Sequence, residues 1–236
     1  MGIEKSYRDS RVIIDITQII EKYHASFDTL IITFQSKVLP KLLEEKLISV
    51  LEKEVVGSSH GKYDVYQVVD QPNTLFFLCP IGAPTAVGNL EELTYKYGIK
   101  NIILYGSAGV LDKALTAGKI IVPTKAYRDE GTSYHYVPAS DFIDIIEHQK
   151  LSKIFDELHI DYVKGYTWTT DAFYRETQAL YLERKAQGCI AVEMEISAVA
   201  AFSKVKNINF YPFVYGADHL DTNQWDKGIL GNMMPS

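Results

Sequence analysis

Short stretches of this chain combine residue types that do chemistry with small residues that would keep them open to a ligand. Gly106-Ser107-Ala108-Gly109 places a hydroxyl among glycines, where backbone N–H groups can gather around an anion. The same four residues also read as a plain turn before Asp112. Thr169-Thr170-Asp171-Ala172-Phe173-Tyr174-Arg175-Glu176 offers two aromatic faces for a flat heterocycle, with Arg175 or Glu176 for its polar edge. Its other reading is two core-filling rings beside a solvent ion pair. Val192-Glu193-Met194-Glu195 sets two carboxylates around a methionine directly after an apolar run. Glu195 is placed to charge the first turn of a following helix. Glu193 needs partners if it is buried, and a carboxylate accepts two hydrogen bonds at once, which suits the vicinal hydroxyls of a ribose. Tyr215-Gly216-Ala217-Asp218-His219 ends the last apolar run with a carboxylate and an imidazole, and Cys79-Pro80-Ile81-Gly82-Ala83-Pro84-Thr85 is a Gly/Pro turn entering a helix.

Other chemistries are excluded by what the sequence lacks. It has no His-Glu-x-x-His, no Cys/His cluster, no glycine fingerprint for a dinucleotide, no Walker loop and no Gly-x-Ser-x-Gly elbow. His135 reads as a hydrogen-bonded structural residue rather than a ligand. With 24 Lys+Arg against 30 Asp+Glu the net charge is −6, which argues against a nucleic-acid partner. Two cysteines, Cys79 and Cys189, are too few for a disulfide framework and sit in apolar runs. No stretch approaches the roughly 20 apolar residues of a membrane span, and Met1–Arg11 lacks a signal-peptide segment. These features predict a soluble, cytoplasmic protein without a membrane partner.

The elements that must position these residues alternate between short β-branched or aromatic runs and longer amphipathic ones. Strands are predicted at Thr29–Thr33, Tyr63–Val69, Thr74–Cys79, Asn101–Tyr105, Lys119–Val122, Tyr162–Thr167, Ile190–Glu193 and Phe210–Tyr215. Helices are predicted at Ile14–Tyr23, Ser36–Leu47, Thr85–Tyr97, Asp141–Leu158, Thr177–Gln187 and Glu195–Lys206, with Gly98 and Gly188 as left-handed ends. The alternation predicts one α/β domain with a parallel or mixed sheet, whose ligands gather at the carboxyl ends of strands.

Taken in order, these segments, together with Arg128-Asp129-Glu130-Gly131-Thr132-Ser133-Tyr134-His135-Tyr136, resemble the nucleoside phosphorylase family that includes uridine phosphorylase and the hexameric bacterial type of purine nucleoside phosphorylase. The likeness runs from about Thr29 to Leu220. It implies a single three-layer α/β/α domain over residues 1–236 around a central mixed β-sheet. Residues 1–25 would be an N-terminal extension, and the family's closing helix after Asp218 has no counterpart. A homo-oligomer of dimers or trimers of dimers is implied, with a small-molecule nucleoside as substrate, phosphate as co-substrate, and no cofactor or metal. Residue by residue, Ser107 matches the phosphate-binding Ser/Thr, with Gly106 beside it. Phe173 matches the aromatic that stacks on the base, flanked by Tyr174 and Arg175. Met194 lies along the sugar, Glu195 holds the ribose hydroxyls and Glu193 is the acidic residue beside them. Asp218 matches the aspartate that protonates N7 of a departing purine.

The likeness breaks at the phosphate end. The family's Gly-Asp-Pro turn and arginine appear here as Thr33-Phe34-Gln35-Ser36-Lys37, leaving Lys37 as the one cation there. The arginine three residues before Ser107 is replaced by Leu104. A lysine is a point charge without the bidentate geometry of arginine. The family's histidine from a neighbouring subunit has only His24 as a substitute. The expected activity is phosphorolysis of a nucleoside to free base and ribose 1-phosphate; Asp218 points to a purine, whereas the Arg128–Tyr136 segment is closer to the uridine enzymes and Arg175 could contact a pyrimidine edge. A nucleosidase using water and a non-catalytic nucleoside-binding protein are the alternatives.

Overall fold

The computed structural model describes residues 2–58, 61–221 and 225–228. The elements, in chain order, are β1 (Thr29–Thr33), α1 (Val38–Glu44), β2 (Ile48–Ser58), β3 (Gly61–Val68), β4 (Gln71–Leu78), α2 (Ala83–Tyr97), β5 (Asn101–Val110), α3 (Lys113–Thr116), β6 (Ile120–Asp129) and α4 (Ser133–Tyr136). There follow β7 (Phe142–Asp144), α5 (His148–Glu157), β8 (Tyr162–Thr170), α6 (Gln178–Ala186), β9 (Cys189–Glu193), α7 (Ile196–Lys206) and β10 (Asn209–His219).

All ten strands join one mixed sheet. β1 lies parallel to β4 and β5, β2 and β3 run antiparallel at one end, and β8 is parallel to both β6 and β9. Strand β10 pairs with both β5 and β6, so β5, β10, β6, β8 and β9 close on themselves into a ring. Side chains alternate across the sheet with the period of two that a pleated strand imposes. Ile102 and Leu104 of β5 join the main core with Leu90 and Leu93 of α2 and Val199 and Phe202 of α7. Ile103 and Tyr105 turn to the other face, toward the clusters around Phe155 of α5 and Leu39 of α1. Helices on both faces make the three layers. Helix α7 is buried from Ile196 to Ser203, because it runs beneath the strands that carry the site.

Several expectations are revised. Strands run further than their apolar stretches suggest: β5 continues through Val110, β8 through Thr170 and β10 through His219. The Gly106–Gly109 stretch is therefore strand, not a loop. Ladder pairing with β10 holds Val214↔Gly106, Tyr215↔Ser107 and Gly216↔Ala108 in register. The predicted helix over Asp141–Leu158 divides, since Phe142–Asp144 pairs antiparallel with Lys125–Tyr127 and only the remainder forms α5. The predicted helix over Ile14–Tyr23 is reduced to a single 3-10 turn, Ile16–Gln18, capped by the Asp15 side chain. Ile13, Ile14 and Ile19 are exposed there, so no packed face stabilises more turns. Gly98 ends α2 in the left-handed region with its N–H donating to Thr94 O, as predicted. Both cysteines are buried and free. No described helix is long and apolar enough to cross a membrane. The expectation about the chain's closing segment falls on residues 229–236, outside those described.

Candidate functional site

Strand β9 ends at Glu193, and the chain turns at once into α7. The first backbone N–H groups of a helix have no intrahelical partner, and here the Glu193 carboxylate takes them. Its Oε2 accepts from the N–H of Glu195 at 2.7 Å and of Ile196 at 2.6 Å. Its Oε1 accepts from the hydroxyls of Thr167 at 3.0 Å and Thr169 at 2.5 Å, both on β8. Burial pushes the carboxyl above the usual range and these four donors pull it back. The role of charging the helix start thus belongs to Glu193, not to Glu195 as the sequence suggests. A second layer holds this one: the Ser197 N–H donates to Thr169 Oγ1, and Ser197 Oγ donates to Glu130 Oε1, directly after β6.

Glu195 is left for other work. It is 6% exposed, and its Oε1 accepts from Gly82 N at 2.7 Å. Gly82 has φ +107, a conformation that side chains rarely adopt. Burial first, then the charge of Glu193, push the Glu195 carboxyl up to about 8. A cationic ligand group beside it would draw out the proton and be stabilised in return.

A cavity of about 760 Å³ opens over this turn and is lined by Phe34, Gln35, Ser107, Phe173, Glu176, Met194, Glu195, Asp218 and Trp225, among others. Phe173 is 50% exposed and Tyr174 87% exposed, with ring centroids 4.0 Å apart. They stand at the cavity rather than in the core, which excludes the core-filling reading. Asp218 sits at a bulge of β10 opposite Gly109. Its Oδ2 accepts from Trp225 Nε1 at 2.7 Å. Burial raises its pKa, while that hydrogen bond and His219 oppose the rise. A Cβ on Gly109 would lie 2.8 Å from Leu220 and Val192 side-chain atoms and 3.4 Å from Asp218 Oδ1, so glycine is what lets Leu220 and Val192 pack against β5 beside Asp218.

At the other end, β1 pairs with β5 only as far as Ile32↔Leu104, and β9 joins β5 only from Gly109. Between them Tyr105–Ala108 has β10 on one edge and, among the described residues, no strand on the other. Main-chain groups of that open edge and the Ser107 hydroxyl therefore meet the cavity beside Phe34 and Gln35. Gln35 is itself held by a hydrogen bond to the Tyr215 hydroxyl. The charged residues that line the cavity, among those described, are Glu176, Glu193, Glu195, Asp218 and Asp221. No lysine, arginine or histidine is with them.

The cavity thus gathers Ser107, Phe173, Tyr174, Glu193, Met194, Glu195 and Asp218. Three expected site residues are not among its lining. Gly106 faces Phe34 from within β5, Lys37 is at the start of α1, and Arg175 is an exposed residue of the 3-10 turn Phe173–Arg175. His24 stacks against Tyr23. Residues that sequence reading did not assign to the site are Ile81, Gln178, Tyr181 and Trp225. Trp225 follows the end of β10 at His219 in a stretch with no strand or helix pattern in its sequence, and it carried no signal. Gln178 and Tyr181 could have been found as one face of α6. Among the described residues no cluster of His, Cys, Asp and Glu is arranged to hold a metal.

The sequence profile of the Phosphorylase superfamily matches residues 30–225. A DeoD-type purine nucleoside phosphorylase of Bacillus cytotoxicus is 28% identical over 149 residues, covering 61% of this chain and 63% of that protein. Its Bacillus thuringiensis counterpart aligns to the same extent. The match thus spans less than two thirds of the length of these curated relatives. Among solved structures, purine nucleoside phosphorylase from Toxoplasma gondii in complex with immucillin-H has a TM-score of 0.67 at 23% identity, covering 83% of this chain and 78% of that one. Uridine phosphorylase from Vibrio fischeri has 0.69 at 20%, covering 91% and 88%. AMP nucleosidase from Bacteroides thetaiotaomicron has 0.67 at 17%, covering 81% of each. At these identities the three share the fold.

Proposed function

We propose that this chain, which belongs to the Phosphorylase superfamily, cleaves the N-glycosidic bond of a purine nucleoside with phosphate as acceptor. The products are free base and ribose 1-phosphate. The observation that carries the reading is the single cavity in which an aromatic ring, a pair of carboxylates and a buried aspartate converge: Phe173, Glu193 with Glu195, and Asp218.

Breaking the bond makes the sugar positive and sends electrons onto the base. In this reading Phe173 covers the base, Met194 packs along the sugar and Glu195 grips its hydroxyls. The carboxylates below favour the oxocarbenium-like centre over the neutral ground state, which is the differential stabilisation catalysis requires. Asp218 gives a proton to N7 of the departing purine, a step typically worth roughly 10²–10⁴-fold. It can do so only in its protonated form, which its burial favours. Ser107 and the open edge of β5 receive the phosphate, which attacks the anomeric carbon. Lys37 of the same chain and Arg175 are assigned no contact with it. We place the enzyme in the cytoplasm as a homo-oligomer, a dimer or a trimer of dimers, which light scattering of the purified protein would reveal.

A second reading, hydrolysis by water, is favoured by one specific observation: the charged groups lining the cavity, among the described residues, are all acidic. A phosphate dianion there has no cation to offset its charge, whereas water needs none. The test is release of free base from a nucleoside panel followed by chromatography, with and without phosphate. Phosphate-dependent release with ribose 1-phosphate supports phosphorolysis, and equal release without phosphate replaces it with hydrolysis. Binding without any release would make the protein a nucleoside-binding homologue.

A further inference from the structure

Glu176 is a cavity residue with no part in the reaction as described. It follows directly on the 3-10 turn that presents Phe173, its N–H donating to Phe173 O, and it lines the same cavity as Asp218 and Phe173. Among the described residues no hydrogen bond or ion pair satisfies its carboxylate, and the neighbouring charge that acts on it is that of Asp218. A half-buried carboxyl aimed at a ligand cavity without a protein donor is a group waiting for a ligand donor.

Two carboxyl groups within electrostatic reach in a partly dry cavity do not both ionise readily, and they titrate as a pair. Burial and Asp218 together push Glu176 up to about 7, and burial raises Asp218 as well. With one proton between them the two groups present one hydrogen-bond donor and one acceptor to the cavity they share, because a protonated carboxyl donates and an ionised one only accepts. A base that accepts at N7 draws that proton onto Asp218 and leaves Glu176 as the acceptor. The edge of a purine that carries N7 also carries the 6-substituent. A 6-aminopurine shows an acceptor at N7 next to a donor amine, whereas a 6-oxopurine shows two acceptors. One donor and one acceptor match the first pattern. Against the second they leave the 6-oxo oxygen facing a carboxylate, an unpaired contact that costs binding.

We propose that Glu176 and Asp218, which line one cavity beside Phe173, together read the N7/C6 edge of the base, Asp218 at N7 and Glu176 at the 6-substituent, and select 6-aminopurine nucleosides over 6-oxopurine ones. This inference rests on the purine-cleaving reading of the site and adds its base selectivity. Glu176 is then a specificity-determining residue that touches the exocyclic amine.

The experiment compares wild type with Glu176→Gln, each checked for an unchanged melting profile. It uses adenosine and inosine as substrates, and adenine and hypoxanthine as ligands by calorimetry. A glutamine amide both donates and accepts, so it no longer discriminates. Wild type is expected to favour adenosine over inosine in kcat/KM by at least tenfold and adenine over hypoxanthine in affinity, and Glu176→Gln to erase most of both preferences. Equal handling of the two bases by wild type, or a preference that survives in Glu176→Gln, overturns the inference. Should no nucleoside be cleaved while adenine still binds over hypoxanthine through Glu176, the proposed reaction falls and the pair stands. Binding of neither base removes both.

Discussion

Each carboxylate of the site has a separate physical task, and substitutions separate them. Asp218→Asn removes the proposed proton donor while keeping the shape and an acceptor for Trp225 Nε1. With a purine nucleoside, kcat should fall at least tenfold and KM should stay close to wild type; steady-state kinetics reads both. Glu193→Ala removes the acceptor for two backbone N–H groups and two threonine hydroxyls. Each buried donor left unpaired costs about 1–3 kcal/mol, so melting should drop by roughly 10 °C or more. Glu195 makes a pH prediction. Its folded value of about 8 lies above the ordinary 4.5, so the native state holds a proton that the unfolded chain has released. Its contribution to stability is whole below about pH 4.5 and is lost as pH rises toward 8. Glu195→Gln keeps an acceptor for Gly82 but abolishes that titration. Melting curves from pH 5 to 8.5 should therefore slope downward less steeply for the variant than for wild type, and parallel slopes would refute the assignment.

The elements place these residues through local conflicts that the fold resolves. Helix α2 begins at Gly82, whose φ of +107 points its N–H at Glu195. A methyl group there meets open space, so Gly82→Ala suffers from backbone strain alone, about 1–3 kcal/mol. The expected result is a melting point lowered by a few degrees and a raised KM for nucleoside, because relief of the strain turns the backbone N–H at position 82 away from Glu195. The strand continuations matter in the same way. Apolar β-branched runs announce β5 up to Tyr105, but Gly106–Val110 extends because β10 supplies a partner, a long-range fact that no local propensity carries. Phe142–Asp144 likewise leaves a helical pattern because the edge of β6 offers it hydrogen bonds.

For the whole molecule, the cavity couples binding to stability. A nucleoside at a hundred times its Kd should stabilise the native state by about 2.7 kcal/mol, raising the melting point by roughly 5–10 °C without phosphate present. Absence of any shift would show that the cavity does not take nucleosides. The sequence by itself determined the α/β class, the strand at Thr29–Thr33 and the helix that follows Glu195, because apolar periodicity and turn residues act over a few positions. It also marked Glu193 and Asp218 as carboxylates at the ends of apolar runs and Phe173 as an aromatic just after one, while the roles of Met194, Glu195 and Asp218 came from the family likeness. Only the tertiary structure decided that they share one cavity, that Glu193 rather than Glu195 caps the helix, and that Lys37 and Arg175 fall outside the lining. Trp225 and the presence of Glu176 and Asp218 in one cavity became visible there too. Those outcomes depend on which strands meet across the closed ring of β5, β10, β6, β8 and β9, and contacts between residues more than a hundred positions apart leave no trace in local sequence.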